Sequence, residues 1–142
     1  KLNLDADGIS DLLNKKSGVL GITELSSDMR EVEAACEKGD PKAILSMKMY
    51  NYRIKKYIGA YAAAMGGVDI IVFTAGVGEN QWSTRQEACE GLEFLGVKID
   101  KELNKGLRGV EKVISTADSK VTVCIIPTDE ELMIATDTME LL

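Results

Sequence analysis

Apolar and polar residues recur with helical spacing in the first part of the chain. Asp7 is a suitable cap for a short helix that ends before Gly18 and carries three apolar residues on one face, Ile9, Leu12 and Leu13. The stretch VLGI that follows has the composition of a brief strand. Asp28 and Glu31 then have capping-box spacing and predict a second short helix, which Gly39 ends.

A long helix is predicted next, because Asp40 can cap it and Pro41 occupies its first position. It should run to the glycines at positions 66 and 67. Apolar residues recur along it in steps of three and four if Asn51 is counted in the row, which consists of Ile44, Met47, Ile54, Ile58, Tyr61 and Met65. A Met and Tyr row can line a cofactor slot, but helical spacing favours packing, and we assign the row to the core.

Three apolar runs in the second part of the chain predict strands. VDIIVF, residues 68–73, is nearly continuous and bounded by glycines, as in a strand covered on both faces. VEKVIS and VTVCII predict two strands joined across TADSK. Capping-box pairs predict a helix that begins at Ser83, with Gln86, and a final helix that begins at Thr128, with Glu131. Alternating helices and strands predict an α/β fold, with a sheet so small that the domain is expected to be incomplete.

Composition restricts the possible functions. The 142 residues are 45% hydrophobic, which predicts one globular domain with a core. There are 17 basic and 23 acidic residues, net charge −6, and neither sign clusters, which argues against binding to nucleic acid or a membrane surface. No apolar stretch approaches the length of a membrane span. Because the chain has no histidine, it supplies neither a His base nor a His-ligated metal.

The cysteines and the first residue indicate the setting of the chain. Cys36, Cys89 and Cys124 lie far apart without a CxxC pair, which predicts buried, reduced thiols in a cytoplasmic protein. The sequence begins at Lys1 rather than at Met and continues directly into a helical pattern. We therefore expect a piece of a longer protein.

The segment FTAGVGEN, residues 73–80, ends a predicted strand with Gly76 and Gly78. Backbone N–H groups at such a strand end can approach an anion, and phosphate is the natural ligand, but glycines there also serve tight turns. A P-loop requires a Lys with Ser or Thr after the second glycine, and a dinucleotide-binding fingerprint requires a third glycine at Gln81. Neither motif fits, and the pattern alone leaves both interpretations open.

The chain closely resembles acetate kinases in three segments: FTAGVGEN with Arg85 soon after it, IPTDEELMIATDT at residues 126–138, and NKKSGVLGITELSSDMREVE at residues 14–33. The resemblance covers essentially the whole chain. It implies a ribonuclease-H-like domain of the actin-like ATPase fold, with a sheet and flanking helices. It further implies reversible phosphoryl transfer between ATP and acetate, giving acetyl phosphate and ADP, with residues 1–142 as the C-terminal, nucleotide-binding part.

The resemblance also implies the residues of a binding site. The family segment that contacts the nucleotide is matched by Gly76, Val77, Gly78, Glu79 and Asn80. The bare backbone of this segment would admit the nucleotide close to the strand end.

The family triplet that contacts adenosine is matched by Asp28, Met29 and Arg30, whose Arg and Met side chains are suited to packing against a base while Asp28 caps a helix. Glu130 matches the acidic residue implicated in magnesium binding, although acidic residues also favour a helix's first turn. Arg85 is a candidate for a phosphate or carboxylate contact, with a solvated charge or a structural salt bridge as the alternatives, and we leave it outside the predicted site.

The family's catalytic Arg, His and Asp residues and its acetate pocket belong to parts that this sequence does not contain. We therefore predict no catalytic residue here and no turnover by this chain alone. The implied cofactors are ATP or ADP and Mg²⁺, and the implied partners are acetate, acetyl phosphate and a second copy in a homodimer. A butyrate or propionate kinase, or a non-catalytic nucleotide-binding or assembly module of the same fold, are the alternatives.

Overall fold

The computed structural model describes residues 3–141 and divides into two compact units, one up to Lys56 and one from Tyr57 onward. The boundary falls within one long helix, and each unit is described by itself. Across residues 3–141, none of the helices combines the length and the apolar composition that crossing a membrane requires.

The first unit is helical. It contains α1 (Ala6–Lys15), α2 (Gly18–Thr23), α3 (Met29–Glu37) and the first part of α4 (Pro41–Met65). Its buried cluster consists of Val32, Ala43 and Met47, against which partly buried apolar residues pack: Val19, Met29, Ala35 and Cys36. The helices therefore enclose one small core.

Two local predictions in this unit are wrong. The carboxylate of Asp5, not of Asp7, caps α1 and accepts the N–H of Gly8 at 2.8 Å. VLGI lies in α2 rather than in a strand, because Val19 packs on the helical cluster and a four-residue apolar run does not by itself distinguish the two structures.

The predicted start of α3 and the predicted extent of α4 are confirmed. Asp28 caps α3, but it accepts the N–H of Arg30 at 2.9 Å rather than that of Glu31. Asp40 accepts the N–H groups of Lys42 and Ala43 at 2.8 and 2.9 Å. These bonds satisfy N–H groups that have no partner inside a helix, which fixes where each helix begins.

The apolar row of α4 is only partly core. Met47 is buried, but Tyr61 and Met65 are 63% and 68% exposed, so their assignment to the core was wrong. In that stretch the small Ala62 is the buried residue. Periodicity predicted a face of the helix, but only packing partners decide whether the face is covered.

A three-stranded mixed sheet organises the second unit. Its strands are β1 (Ile70–Phe73), β2 (Lys112–Val113) and β3 (Thr122–Ile125), in the order β1-β3-β2. β1 runs parallel to β3, and β2 runs antiparallel to it. Ile71 and Phe73 are buried whereas Ile70 and Val72 are exposed, so the prediction that β1 is covered on both faces is wrong for the described residues.

Helices complete the second unit: α5 (Ala75–Asn80), α6 (Trp82–Cys89), α7 (Lys101–Asn104) and α8 (Glu130–Glu140), with a 3₁₀ turn at Glu93–Leu95. α6 begins after Gln81, so the predicted box at Ser83 does not form. α8 begins after Asp129, which accepts the N–H of Leu132 at 3.0 Å, and Thr128 is therefore not its cap. All three cysteines are free thiols, as predicted, although only Cys89 is buried.

Candidate functional site

FTAGVGEN folds as a strand end followed at once by a helix. β1 ends at Phe73, Thr74 is extended, and α5 begins at Ala75. Ala75 has φ +58°, in the left-handed region that costs an L-residue about 1 kcal/mol or more. The segment expected to be an open glycine loop before a helix is therefore itself helical, and a strained alanine is its first residue.

The two glycines of α5 differ in their surroundings. A Cβ at Gly78 would lie 3.2 Å from the carbonyl carbon of Phe73 and 3.4 Å from its Cα, so this glycine lets α5 pack against the strand end. A Cβ at Gly76 would have no heavy atom within 4 Å, and the backbone of Gly76 is not left-handed. Since glycine inside a helix costs about 1 kcal/mol relative to alanine, the described fold gives no reason for a glycine at position 76.

Arg85 is fully buried and holds α5 in place. Its Nε donates to Oδ1 of Asn104 at 2.8 Å. One terminal nitrogen donates to the carbonyls of Gly78 and Glu79 at 2.8 and 2.9 Å, and the other donates to the carbonyl of Leu107 at 2.8 Å. Its partners are neutral oxygens, so among residues 3–141 Arg85 is neither a solvated charge nor half of a salt bridge. Burial, and secondarily the charge of Arg108, lower the pKa of Arg85 to about 10, and it remains a cation at neutral pH.

Asn104 extends this network. Its side chain is buried, accepts from Arg85, and donates from Nδ2 to the carbonyl of Trp82 at 2.9 Å. The first turn of α6, the end of α7 and the last turn of α5 are thus held by two side chains. Nothing in the sequence pattern indicates Asn104, because its partners lie 19 and 22 residues away.

The side chain of Glu79 links α5 to the segment before α8. Its Oε1 accepts both the N–H of Thr128, at 2.8 Å, and the Thr128 hydroxyl, at 3.0 Å. The Thr128 N–H is the main reason that the pKa of the Glu79 carboxyl lies below its usual value. The Thr128 hydroxyl and the N–H of Ala75 act in the same direction, against desolvation. Two of the three motifs thus meet directly, although sequence reasoning had placed Thr128 as a cap.

Glu130 is exposed in the first turn of α8, two residues after Thr128. Within residues 3–141, no group of three or more acidic or Cys side chains is placed to hold a metal ion. A single exposed carboxylate suits Mg²⁺, which in nucleotide sites takes one or two carboxylates and completes its shell with phosphate oxygens and water. The single carboxylate of Glu130 therefore fits a Mg²⁺ ion that is also bound by the phosphates of a nucleotide.

Asn80 and Val77 complete the segment. Nδ2 of Asn80 donates to the carbonyl of Gly76 at 2.9 Å, one turn back in α5, and Val77 is half-buried. The predicted nucleotide segment therefore forms about one and a half helical turns, which contain Gly76, Val77, Gly78, Glu79 and Asn80. A contact with Thr128 joins it to the segment that carries Glu130.

The triplet at the start of α3 belongs to the first unit. Nε of Arg30 donates to Oδ1 of Asp28 at 3.0 Å and its terminal nitrogen lies 2.6 Å from Oδ2, and this guanidinium lowers the pKa of Asp28 to about 2. The Arg30 side chain is 88% exposed, so it is accessible to a ligand. Met29 is half-buried and packs on the core cluster, which leaves only part of its surface for any base.

The small mixed sheet with flanking helices is similar to parts of acetate and propionate kinases, which have the actin-like ATPase fold. The crystal structure of Porphyromonas gingivalis acetate kinase is 61% identical with a TM-score of 0.90, covering 96% of this chain and 34% of that one. Acetate kinase from Entamoeba histolytica is 37% identical with a TM-score of 0.87, and the match covers 97% of this chain and 37% of that one. A propionate kinase from Francisella tularensis is 36% identical with a TM-score of 0.83, and the match covers 95% of this chain and 34% of that one. The predicted fold class is confirmed.

Sequence comparison defines the family. The model of the acetokinase family matches residues 1–136. Curated acetate kinases from Parabacteroides distasonis and Phocaeicola vulgatus are 63% and 70% identical over 142 residues, which is 100% of this chain and 36% and 35% of theirs. The chain belongs to the acetokinase family. It spans about a third of the length of these curated relatives.

Proposed function

We propose that this chain is the C-terminal, nucleotide-binding part of an acetate kinase, an enzyme that reversibly transfers a phosphoryl group between ATP and acetate. The observation that carries the proposal is the identity of 63% and 70% to two acetate kinases across all 142 residues. Acetate is favoured over propionate because the relatives named above with 61–70% identity are acetate kinases, whereas the propionate kinase is 36% identical. A cytoplasmic homodimer is part of the same proposal.

The nucleotide side of the reaction is assigned to the residues predicted from the sequence. Gly76, Val77, Gly78, Glu79 and Asn80 form the segment next to the nucleotide. Gly76 supports this assignment, because neither its backbone conformation nor its neighbours among the described residues require a glycine. A ligand that approaches the backbone closely would require one.

The adenosine and magnesium contacts complete the assignment. Asp28, Met29 and Arg30 contact adenosine, chiefly through the exposed guanidinium of Arg30, and Glu130 contacts Mg²⁺ directly or through water. When bound, the ion neutralises phosphate charge. The residues of this chain bind and orient the nucleotide. Phosphoryl transfer also needs positive charge around the transferring group, and the family's catalytic Arg, His and Asp residues are expected outside this chain.

The activity is tested on the full-length protein that contains this chain. Formation of the corresponding acyl phosphate from ATP is measured with acetate, propionate and butyrate over the same concentration range, and we expect the highest kcat/KM with acetate. The 142-residue chain, expressed alone, should form none. A preference for propionate or butyrate would replace the proposed substrate, and turnover by the short chain would contradict its role as a binding part.

The nucleotide segment is tested by calorimetric titration with Mg·ADP after Gly76→Ala. An added methyl group meets no protein atom and removes a helix-destabilising glycine, so the fold should gain up to about 1 kcal/mol, while Mg·ADP affinity falls about tenfold. Gly59→Ala is the matched control, because Gly59 is also helical with no heavy atom within 4 Å of its Cβ position. Unchanged affinity in Gly76→Ala would refute a close approach of the nucleotide at this residue.

A further inference from the structure

We propose that the side chain of Glu79 is a positioning group and not a nucleotide or metal ligand: its carboxylate holds the start of α8, and therefore Glu130, against α5. The inference rests on the proposed function, because it assigns a role within the same nucleotide site. It gives the Glu79 side chain a role different from that of the other residues of its segment, all of which the resemblance had assigned to nucleotide contact.

Both the backbone carbonyl and the carboxylate of Glu79 are held by groups outside α5. Its carbonyl accepts from buried Arg85 at 2.9 Å and from the N–H of Gly109 at 3.2 Å. Its Oε1 accepts both donors of Thr128, 49 residues away. The two bonds from Thr128 occupy Oε1, and the two bonds to the Glu79 carbonyl fix the backbone from which this side chain extends. A ligand would have to displace Thr128 to use that oxygen.

The contact matters because the start of α8 has few other attachments. The N–H of Ile126 donates to the carbonyl of Phe73 at 3.0 Å, which is the last bond that continues the sheet. Beyond Ile126, in the part of the chain that the structure describes, the bonds of Thr128 to Glu79 are the only hydrogen bonds to another element. All described side chains of α8 are exposed. The position of Glu130, two residues after Thr128, is therefore set through Glu79.

The positioning role requires an oxygen acceptor at residue 79 and not a negative charge. Glu79→Ala removes the acceptor, whereas Glu79→Gln keeps an amide oxygen that both Thr128 donors can reach. Thr128→Val removes the hydroxyl but keeps the N–H, and Thr128→Ser keeps both donors. A carboxylate that acted directly on Mg²⁺ would instead need its charge, since carboxylate oxygens are the ligands that Mg²⁺ binds in such sites.

The test is calorimetric titration of the full-length protein with ADP, in the presence and in the absence of Mg²⁺. We expect Glu79→Ala to weaken Mg·ADP binding about tenfold while binding of ADP without Mg²⁺ changes less than about twofold, because only the ion contact depends on Glu130. Thr128→Val should lower the affinity for Mg·ADP about threefold, because it removes one of the two donors to Glu79. Glu79→Gln and Thr128→Ser should each stay within about threefold of the wild type. The double variant Glu79→Ala, Thr128→Val should bind like Glu79→Ala alone, because the two side chains act through one contact.

Three results would overturn the inference. If Glu79→Gln lost as much affinity as Glu79→Ala, the charge itself would act on the ligand. If Glu79→Ala weakened ADP equally with and without Mg²⁺, the effect would not pass through Glu130. If the two substitutions were additive, Thr128 would not be the partner through which Glu79 acts.

Failure of the proposed function would be distinguishable from failure of this inference. Wild-type protein that bound Mg·ADP but transferred phosphate to another carboxylate would overturn the choice of acetate and leave these affinity ratios intact. Wild-type protein that bound no Mg·ADP would overturn the inference together with the assigned nucleotide site.

Discussion

Replacing Arg85 by methionine tests the network that holds α5. Methionine fills similar space without donors, so Oδ1 of Asn104 and the carbonyls of Gly78 and Leu107 lose the partner that they have in the structure. The carbonyl of Glu79 keeps the N–H of Gly109. Oδ1 of Asn104 is buried and costs about 1–3 kcal/mol when it is left unsatisfied, whereas the two partly buried carbonyls cost about 1 kcal/mol each. The variant also avoids part of the cost of desolvating the guanidinium, about 2 kcal/mol, so the net loss should be about 1–3 kcal/mol.

The loss is measured by urea unfolding, as a shift of the midpoint at constant slope. Against a typical total stability of about 5–15 kcal/mol it is large. Lys48→Met, at an exposed position of α4, is the control and should change stability by less than about 0.5 kcal/mol. Arg85→Lys should fall between the two, because a compact ammonium cannot reach oxygens on all sides of the guanidinium fork. A loss below about 1 kcal/mol in Arg85→Met would refute the conclusion that Arg85 holds α5.

Three further substitutions test local features. Gly78→Ala should cost about 1–3 kcal/mol in urea unfolding because its Cβ meets the Phe73 backbone at 3.2 Å, and a neutral result would show that α5 can shift. Ala75→Gly should gain about 0.5–1 kcal/mol in thermal unfolding by relieving φ +58°, and a loss would contradict that strain. Arg30→Met should raise the pKa of Asp28 from about 2 toward its usual value in an NMR titration. Because the folded-state pKa is depressed, the stability from Asp28 is present above about pH 4 and lost as the pH falls through about 2. The variant should show less of this dependence, because it keeps only the capping N–H of residue 30. An unchanged Asp28 pKa would instead assign the shift to the capping N–H.

Local signals in the sequence predicted the elements whose causes are local. Asp28 and Asp40 cap their helices, and α4 runs between a proline and a glycine pair, as predicted. β1 and β3 appear where continuous apolar runs predicted strands. Where two acidic or hydroxyl residues compete for one helix start, as Asp129 and Thr128 do, spacing alone did not choose correctly, because the distant partner Glu79 takes Thr128.

The sequence by itself determined the family, the α/β class and which residues are candidates for the nucleotide and magnesium contacts, because three motifs in order identify a relative without any knowledge of contacts. Only the tertiary structure decided what those residues touch. It separated Gly78, which packs against Phe73, from Gly76, which packs against nothing described, and it buried Arg85 among neutral oxygens. It also joined Glu79 to Thr128 across 49 residues. Such contacts depend on how strands and helices are brought together, and no local spacing in a sequence encodes the distance between residues on different elements.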